Sequence, residues 1–280
     1  MIPLFDAHFH LQFSTLVPHH SAIEADLRRV NWQAGVVNGT NEEEWPLVAA
    51  LAKRFPGVIP SYGVHPWDCG NRTSAWPRLL REAVTADPRA HVGEIGLDRW
   101  IVDGVRPGDS RIAGMRVAPM DEQAEVFAGQ LALAAEFNRV ASIHCTQAFG
   151  LLHDVLRSTP LPARGLLLHG YGGPAEMVKT FAELGAYFSF NLGALRPRHA
   201  ARRESFQAVP ADRLLVETDA PAYAPPLALN RFPLGTDVEG SELNHPANIA
   251  VGYEALAELR GIALGPLAAQ VEANFRRLFL

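Results

Sequence analysis

The 280 residues are 48% hydrophobic and 20% charged, enough apolar material for one large α/β domain or two small ones. A formal net charge of −5 gives no bulk field to draw nucleic acid or an anionic membrane, and no apolar run reaches the roughly 18 residues that span a bilayer. Two cysteines, Cys69 and Cys145, make no disulfide framework, and no basic segment leads the first ten residues, so a cytoplasmic protein is expected.

The first element is a β-type run over 4–10 carrying Asp6, His8 and His10. Alternate residues of a strand share a face, so these three point the same way. Further runs follow at 34–39, 58–65, 91–97, 140–145, 165–169, 186–192 and 214–219. Helical patterns separate several of them, over 41–55, 119–138, 174–185 and 198–209, and two more helices, 246–260 and 266–279, finish the chain. Asn41 reads as the N-cap of its helix, with Glu42, Glu43 and Glu44 in the positive first turn. The segment 99–118, polar and glycine-rich, reads as a long loop or insertion after the fourth strand. Eight strands alternating with helices predict a closed (β/α)8 barrel, a TIM-type α/β fold spanning 1–280 as one domain. No G-x-G-x-x-G or G-K-[ST] follows a strand, so a nucleotide cradle has no support.

In such a barrel the functional face lies at the C-terminal strand ends. Those ends read His8 and His10, Asn38, His65, Glu94, His144, His169, Asn191 and Asp219. Most are residues that coordinate metals or move protons, a convergence that predicts a metal site. His153 and His199 sit in helical patterns and read as solvated, and His19, His20 and His91 are given no role. Four histidines and two carboxylates exceed the four ligands of a tetrahedral zinc. They suit two divalent ions sharing a bridging carboxylate and a water, with Zn, Mg, Mn or Fe all compatible. Lys53 and Lys179, the only lysines, lie away from strand ends, which excludes a carbamylated-lysine bridge. Glu94, flanked by Gly93 and Gly96, is the expected bridge. Asp6, one layer deeper, either orients an imidazole or ties down its strand.

The motifs DAHFHL, YGVHPW, VGEIGLD, EQAEVFAGQLALAAEF, SIHC, LLHGYGG and LLVETDAP, with the tail NHPANI…ANFRRLF, run in order from residue 4 to 279. Together they resemble the TatD family of metal-dependent hydrolases, often described as deoxyribonucleases, among the amidohydrolase-like barrels. The resemblance implies one metal on His8, His10, Glu94 and Asp219, with Glu94 bridging to a second on His144 and His169. It implies catalytic roles for Glu94, Asp219 and His65, with Asp219 accepting the proton of the attacking water and His65 at the substrate end. Glu217 then lies deeper, behind the ligands. The expected reaction is phosphodiester hydrolysis that trims single-stranded DNA ends, with His65, Trp67 and Arg99 contacting substrate and Trp67 and Trp100 either stacking a terminal base or packing loops. No membrane and no obligate protein partner are expected.

The departures from the family pattern concern substrate. Thr146 stands where relatives often carry arginine, and 240–243 replaces an Arg-Gly pair. Arg99, Arg106, Arg111 and Arg116, or Arg196, Arg198, Arg202 and Arg203, either replace those cations or are solvated. Two alternatives stay open: hydrolysis of a small-molecule ester or amide, and a non-catalytic barrel within a larger assembly.

Overall fold

A computed structural model describes residues 1–106 and 108–280. Pro107, inside the segment expected as a loop, lies outside the described residues. The strands are β1 (Leu4–Phe9), β2 (Trp32–Gly39), β3 (Val58–Tyr62), β4 (His91–Asp98), β5 (Ala141–Thr146), β6 (Leu166–Leu168), β7 (Ala186–Phe190) and β8 (Leu214–Val216). The helices are α1 (His20–Arg29), α2 (Trp45–Arg54), α3 (Trp76–Ala86), α4 (Arg99–Asp103), α5 (Met120–Glu136), α6 (Phe149–Ser158), α7 (Met177–Glu183), α8 (Ala200–Ala208), α9 (Ile249–Arg260) and α10 (Leu264–Phe279). The strands form one parallel sheet in chain order, β1 to β8. Backbone bonds from His10 N to Ala220 O (2.8 Å) and from Asp219 N to His8 O (2.9 Å) join the last strand region to the first. The expected (β/α)8 barrel is therefore the fold.

Strand periodicity decides what enters the barrel. In β1, Phe5 points outward and meets Phe275 of α10 at 4.9 Å, and Phe9 packs on Trp32. Asp6, His8 and His10 take the opposite face and are almost wholly buried. α10 supplies the matching apolar stripe, Leu267, Ala268, Val271, Phe275 and Leu278, at helical spacing. Burying side chains of this size contributes about 1.5–3 kcal/mol each. Tyr253 of α9 completes the seam, its hydroxyl accepting from Phe5 N at 3.0 Å and donating to Phe5 O at 3.1 Å.

α5 fixes the strand ends nearest the candidate site with two buried glutamines, seven residues apart on one face. Gln130 accepts from Val64 N (2.7 Å) and donates to Val64 O (3.0 Å), copying a strand neighbour for the backbone beside His65. Gln123 accepts from Asp98 N (2.8 Å) and donates to Asp98 O (3.2 Å) and Ala118 O (3.1 Å).

Three expectations need correction. α2 starts at Trp45, not at Asn41. Asn41 instead closes a preceding turn, its Oδ1 accepting from Glu43 N and Glu44 N. The 99–118 segment is not all loop. Asp98 accepts from Ile101 N and so caps the short α4, and a 3-10 turn spans Ser110–Ile112. His199 ends a 3-10 turn rather than standing free in a helix, and its Nδ1 donates to Gly193 O at 2.7 Å.

Candidate metal centre

At the C-terminal mouth of the barrel, Glu94 reaches from β4 into a ring of imidazoles. Its two oxygens face different groups. Oε2 lies 3.3 Å from His8 Nε2 and 3.2 Å from His10 Nε2, and Asp219 Oδ1 is 3.5 Å from His10 Nε2. Oε1 lies 2.9 Å from His169 Nε2, 3.1 Å from His144 Nδ1 and 3.3 Å from His65 Nε2. The donor atoms of His8, His10 and Asp219 lie within 4.8 Å of one another, as do those of His65, Glu94 and His144. So do those of His8, Glu94 and His169, and of His169, Glu217 and Asp219.

Local backbone explains how these side chains converge. β3, β6 and β8 leave the ladder at Tyr62, Leu168 and Val216, so His65, His169 and Asp219 stand on the turns just beyond. Asp219 is held at φ 52, in a region that non-glycine residues seldom adopt, by its amide on His8 O and by Ala222 N on its carbonyl. Gly96 allows β4 and β5 to meet closely, since a Cβ there would stand 2.0 Å from His144 O.

For His10, His144 and His65, hydrogen bonds on the far side of the ring determine which nitrogen faces the centre. His10 Nδ1 donates to Asn38 O at 2.8 Å, which leaves Nε2 to face the centre. His144 Nε2 donates to Asp98 Oδ2 at 3.1 Å, so Nδ1 is the atom facing Glu94. His8 Nδ1 lies 3.0 Å from Ser142 Oγ, and His169 Nδ1 lies 3.6 Å from Glu217 Oε1. Glu217 is itself held by Ser189 Oγ and by Asn191 Nδ2 at 2.9 Å. His65 differs. Trp67 N donates to its Nδ1 at 3.2 Å, so the ring proton sits on Nε2. His10 and His144 thus turn one nitrogen to the centre with the other bonded behind the ring, and His65 offers an N–H.

The charges follow from this crowding. Burial alone would raise Glu94, yet the imidazoles of His65, His169, His8 and His10 hold it well below the usual carboxylate range. Asp219 is likewise held low against its burial by His10, His169 and His8. Burial disfavours charge on His10 and His144, but Asp219, Glu94 and Asp98 push them up to about 10 and about 9. Burial keeps His8 and His65 low. Imidazoles and carboxylates crowded into one small volume hold protons between them, and a divalent cation bound to the deprotonated rings supplies the same positive charge; this is the donor set of such a cation. The residues fit such an ion.

Asp6 does not reach an imidazole. It accepts from Thr218 N (3.0 Å), Thr218 Oγ1 (2.5 Å) and His8 N (3.2 Å), tying β1 to the strand-eight turn, the second of its two expected roles. Asp98 and Ser142 were given no role from sequence. Asp98 shares the parity of Glu94 on β4, a signal that the strand reading missed by ending at 97. Trp67 and Trp100 stack with centroids 5.9 Å apart, and Trp67 Nε1 donates to Asp98 Oδ2 at 2.8 Å. Arg99 turns to Asp103 and makes no polar contact with the ring of imidazoles among the described residues.

The sequence matches the family model described as TatD related DNase over residues 5–280. It is 29% identical over 281 residues to the "3'-5' ssDNA/RNA exonuclease TatD" of Klebsiella pneumoniae, covering 99% of this chain and 97% of that protein. The "Uncharacterized metal-dependent hydrolase YabD" of Bacillus subtilis is 26% identical, with 99% and 98% covered. Among solved structures, YJJV, a TatD homologue from Escherichia coli, superposes with a TM-score of 0.83 at 23% identity, covering 99% and 97%.

Proposed function

This chain belongs to the TatD-related DNases, and from that premise we propose that it is a metal-dependent hydrolase of phosphodiester bonds that trims ends of single-stranded DNA. The observation that carries the reading is the division of ring nitrogens around Glu94. His10 and His144, each bonded behind the ring, turn Nε2 and Nδ1 toward it, His8 and His169 bring Nε2 within 3.3 and 2.9 Å, and His65 offers an N–H. Relatives named as exonucleases on single-stranded DNA and RNA support the substrate class.

His8, His10, Glu94 and Asp219 would hold one divalent ion, and Glu94, His144 and His169 a second. Two such ions, Zn, Mg or Mn, supply positive charge against phosphoryl oxygens and lower the pKa of a bound water. The remaining work belongs to the chain. Asp219, on its constrained turn, accepts the proton of the attacking water. His65 donates its Nε2–H to a phosphoryl oxygen as charge builds there. Asp98 and Glu217 hold His144 and His169 in register. The stacked Trp67 and Trp100 receive a terminal base. Cys69 and Cys145 are free thiols and no helix among the described residues is long and apolar enough to cross a membrane, which supports action in the cytoplasm.

The test is nucleotide release from labelled single-stranded DNA with Mg²⁺ or Mn²⁺, with Glu94→Ala run alongside and metal content measured in both. Wild-type cleavage that disappears in the variant together with bound metal is the expected result. Cleavage that survives Glu94→Ala, or a wild type that retains metal and cuts only small esters, overturns it.

A further inference from the structure

The two groups of arginines that could serve a polyanion differ in how they are paired. In 99–118, Arg99 pairs with Asp103 (3.5 Å), Arg111 with Asp109 (2.5 Å) and Arg116 with Glu122 (2.7 Å), while the exposed Arg106 makes no ion pair among the described residues. After β7, Arg196, Arg198, Arg202 and Arg203 have no carboxylate within ion-pair distance among the described residues. Arg203 is spent on the backbone, donating to Ala194 O (2.8 Å) and Arg196 O (3.0 Å). Arg198 turns to His199.

Arg196 and Arg202 remain, and they converge on one ring. Their guanidinium carbons lie 5.7 and 5.8 Å from the centroid of Tyr223, four residues beyond Asp219. Arg202 has five N–H donors, and its one hydrogen-bond partner among the described residues is Asn191 Oδ1 at 3.5 Å. A Cβ on Gly172, in the turn after His169, would stand 2.8 Å from Arg202 Nη2, so this glycine leaves the space the guanidinium occupies. The position connects directly to the centre. Asn191 Nδ2 donates to Glu217 Oε1 (2.9 Å), which lies 3.6 Å from His169 Nδ1. Two like charges around one aromatic ring, with no carboxylate between them, are only partly offset by cation–π attraction. A phosphate removes the repulsion and matches the guanidinium fork with paired oxygens.

We infer that Arg196 and Arg202, set about Tyr223 beside the metal centre, form the subsite that holds a phosphate group of the substrate. The inference rests on the phosphodiester reading of that centre and names the group that would stand in for the arginines lost at Thr146 and 240–243. The phosphate held is either a backbone phosphodiester next to the scissile one or a terminal phosphomonoester.

The experiment is fluorescence anisotropy of a short labelled oligothymidylate, with and without a 3′-phosphate, over a range of salt. Wild type is compared with Arg196→Gln/Arg202→Gln, with Arg202→Lys, and with Arg116→Gln, an ion-paired control. The double variant is expected to bind about tenfold more weakly, and its log–log salt slope to shrink by about 0.7 for each phosphate it no longer neutralises. KM should rise by a similar factor with kcat moving less, Arg202→Lys should fall between, and Arg116→Gln should match wild type. Unchanged affinity and slope in the double variant overturn the inference. Weakening confined to the 3′-phosphorylated probe assigns a terminal phosphate, and equal weakening on both assigns the backbone. If wild type neither binds nor cuts oligothymidylate, the nuclease reading fails on its own. Calorimetric titration of inorganic phosphate then decides the subsite: heat that disappears in the double variant upholds it, and equal heats, or none in wild type, overturn it.

Discussion

Asp98 divides one carboxylate between two tasks. Oδ1 caps α4 at Ile101 N, and Oδ2 accepts from both Trp67 Nε1 and His144 Nε2. The same oxygen thus sets which nitrogen of His144 faces Glu94 and where the tryptophan stack begins. Asp98→Asn is expected to lower metal affinity or turnover by about 10–100-fold, measured by competition with a chelator and by steady-state kinetics. Wild-type metal affinity with wild-type turnover would refute the assignment. At this scale much was legible, because period-two parity alone put Asp6, His8 and His10 on one face. Ring tautomers were not legible. They depend on Asn38 O, Trp67 N and Asp98, which only tertiary folding brings against the histidines. The same holds for arginine pairing: nothing in the spacing of Arg196 and Arg202 reveals that they meet at Tyr223.

Among the elements, the strand starts were easier to read than the strand ends. Apolar alternation marks where the ladder begins, but β3, β6 and β8 stop three or fewer residues short of the functional side chain, and the polar turn that follows still looks extended in sequence. α1 and α3 were not legible as helices, and α6 showed only as the helical pattern around His153. α1 and α3 begin without a side-chain cap, as α2 does, so the usual start signal is missing. α5 was visible, but the purpose of its buried amides was not. Gln130→Leu keeps the volume of the side chain and removes both bonds to Val64. It is expected to cost about 1–3 kcal/mol for each buried backbone group left unpaired and to displace His65, lowering kcat/KM more than metal content. Urea midpoints, kinetics and metal analysis measure these separately. Unchanged stability would show that Val64 needs no such partner.

For the molecule as a whole, one histidine given no role in the sequence ties the C-terminal helix to the middle of the barrel at the opposite mouth. His91, at the start of β4, donates from Nε2 to Phe279 O (3.2 Å) and accepts at Nδ1 from Val140 N (3.2 Å). Burial lowers its pKa from 6.5 to about 3, so the folded state keeps it neutral. Because the folded value lies below the unfolded one, its contribution is fully present above about pH 6.5 and is lost as pH falls toward 3. Between pH 7 and pH 5 this amounts to about 2 kcal/mol. Urea unfolding of His91→Gln should show a correspondingly flatter pH dependence than wild type, and equal dependence would refute the effect. His245, pushed down to about 4 by burial, acts in the same direction in both proteins. The barrel's closing seam also bears on when the centre can exist during synthesis. Asp6 and Thr218 bond across 212 positions, and His8, His10 and Asp219 come together only through that seam. His65, His144 and His169, the groups facing Oε1 of Glu94, all lie within residues 65–169 and leave the ribosome sooner. A nascent chain can thus assemble one side of the Glu94 carboxylate while the other side still waits for translation to reach its last quarter. A cation held on the His8 side would have to be acquired by an almost complete polypeptide, so a message cut short before residue 219 yields a product that lacks the Asp219 donor of that group.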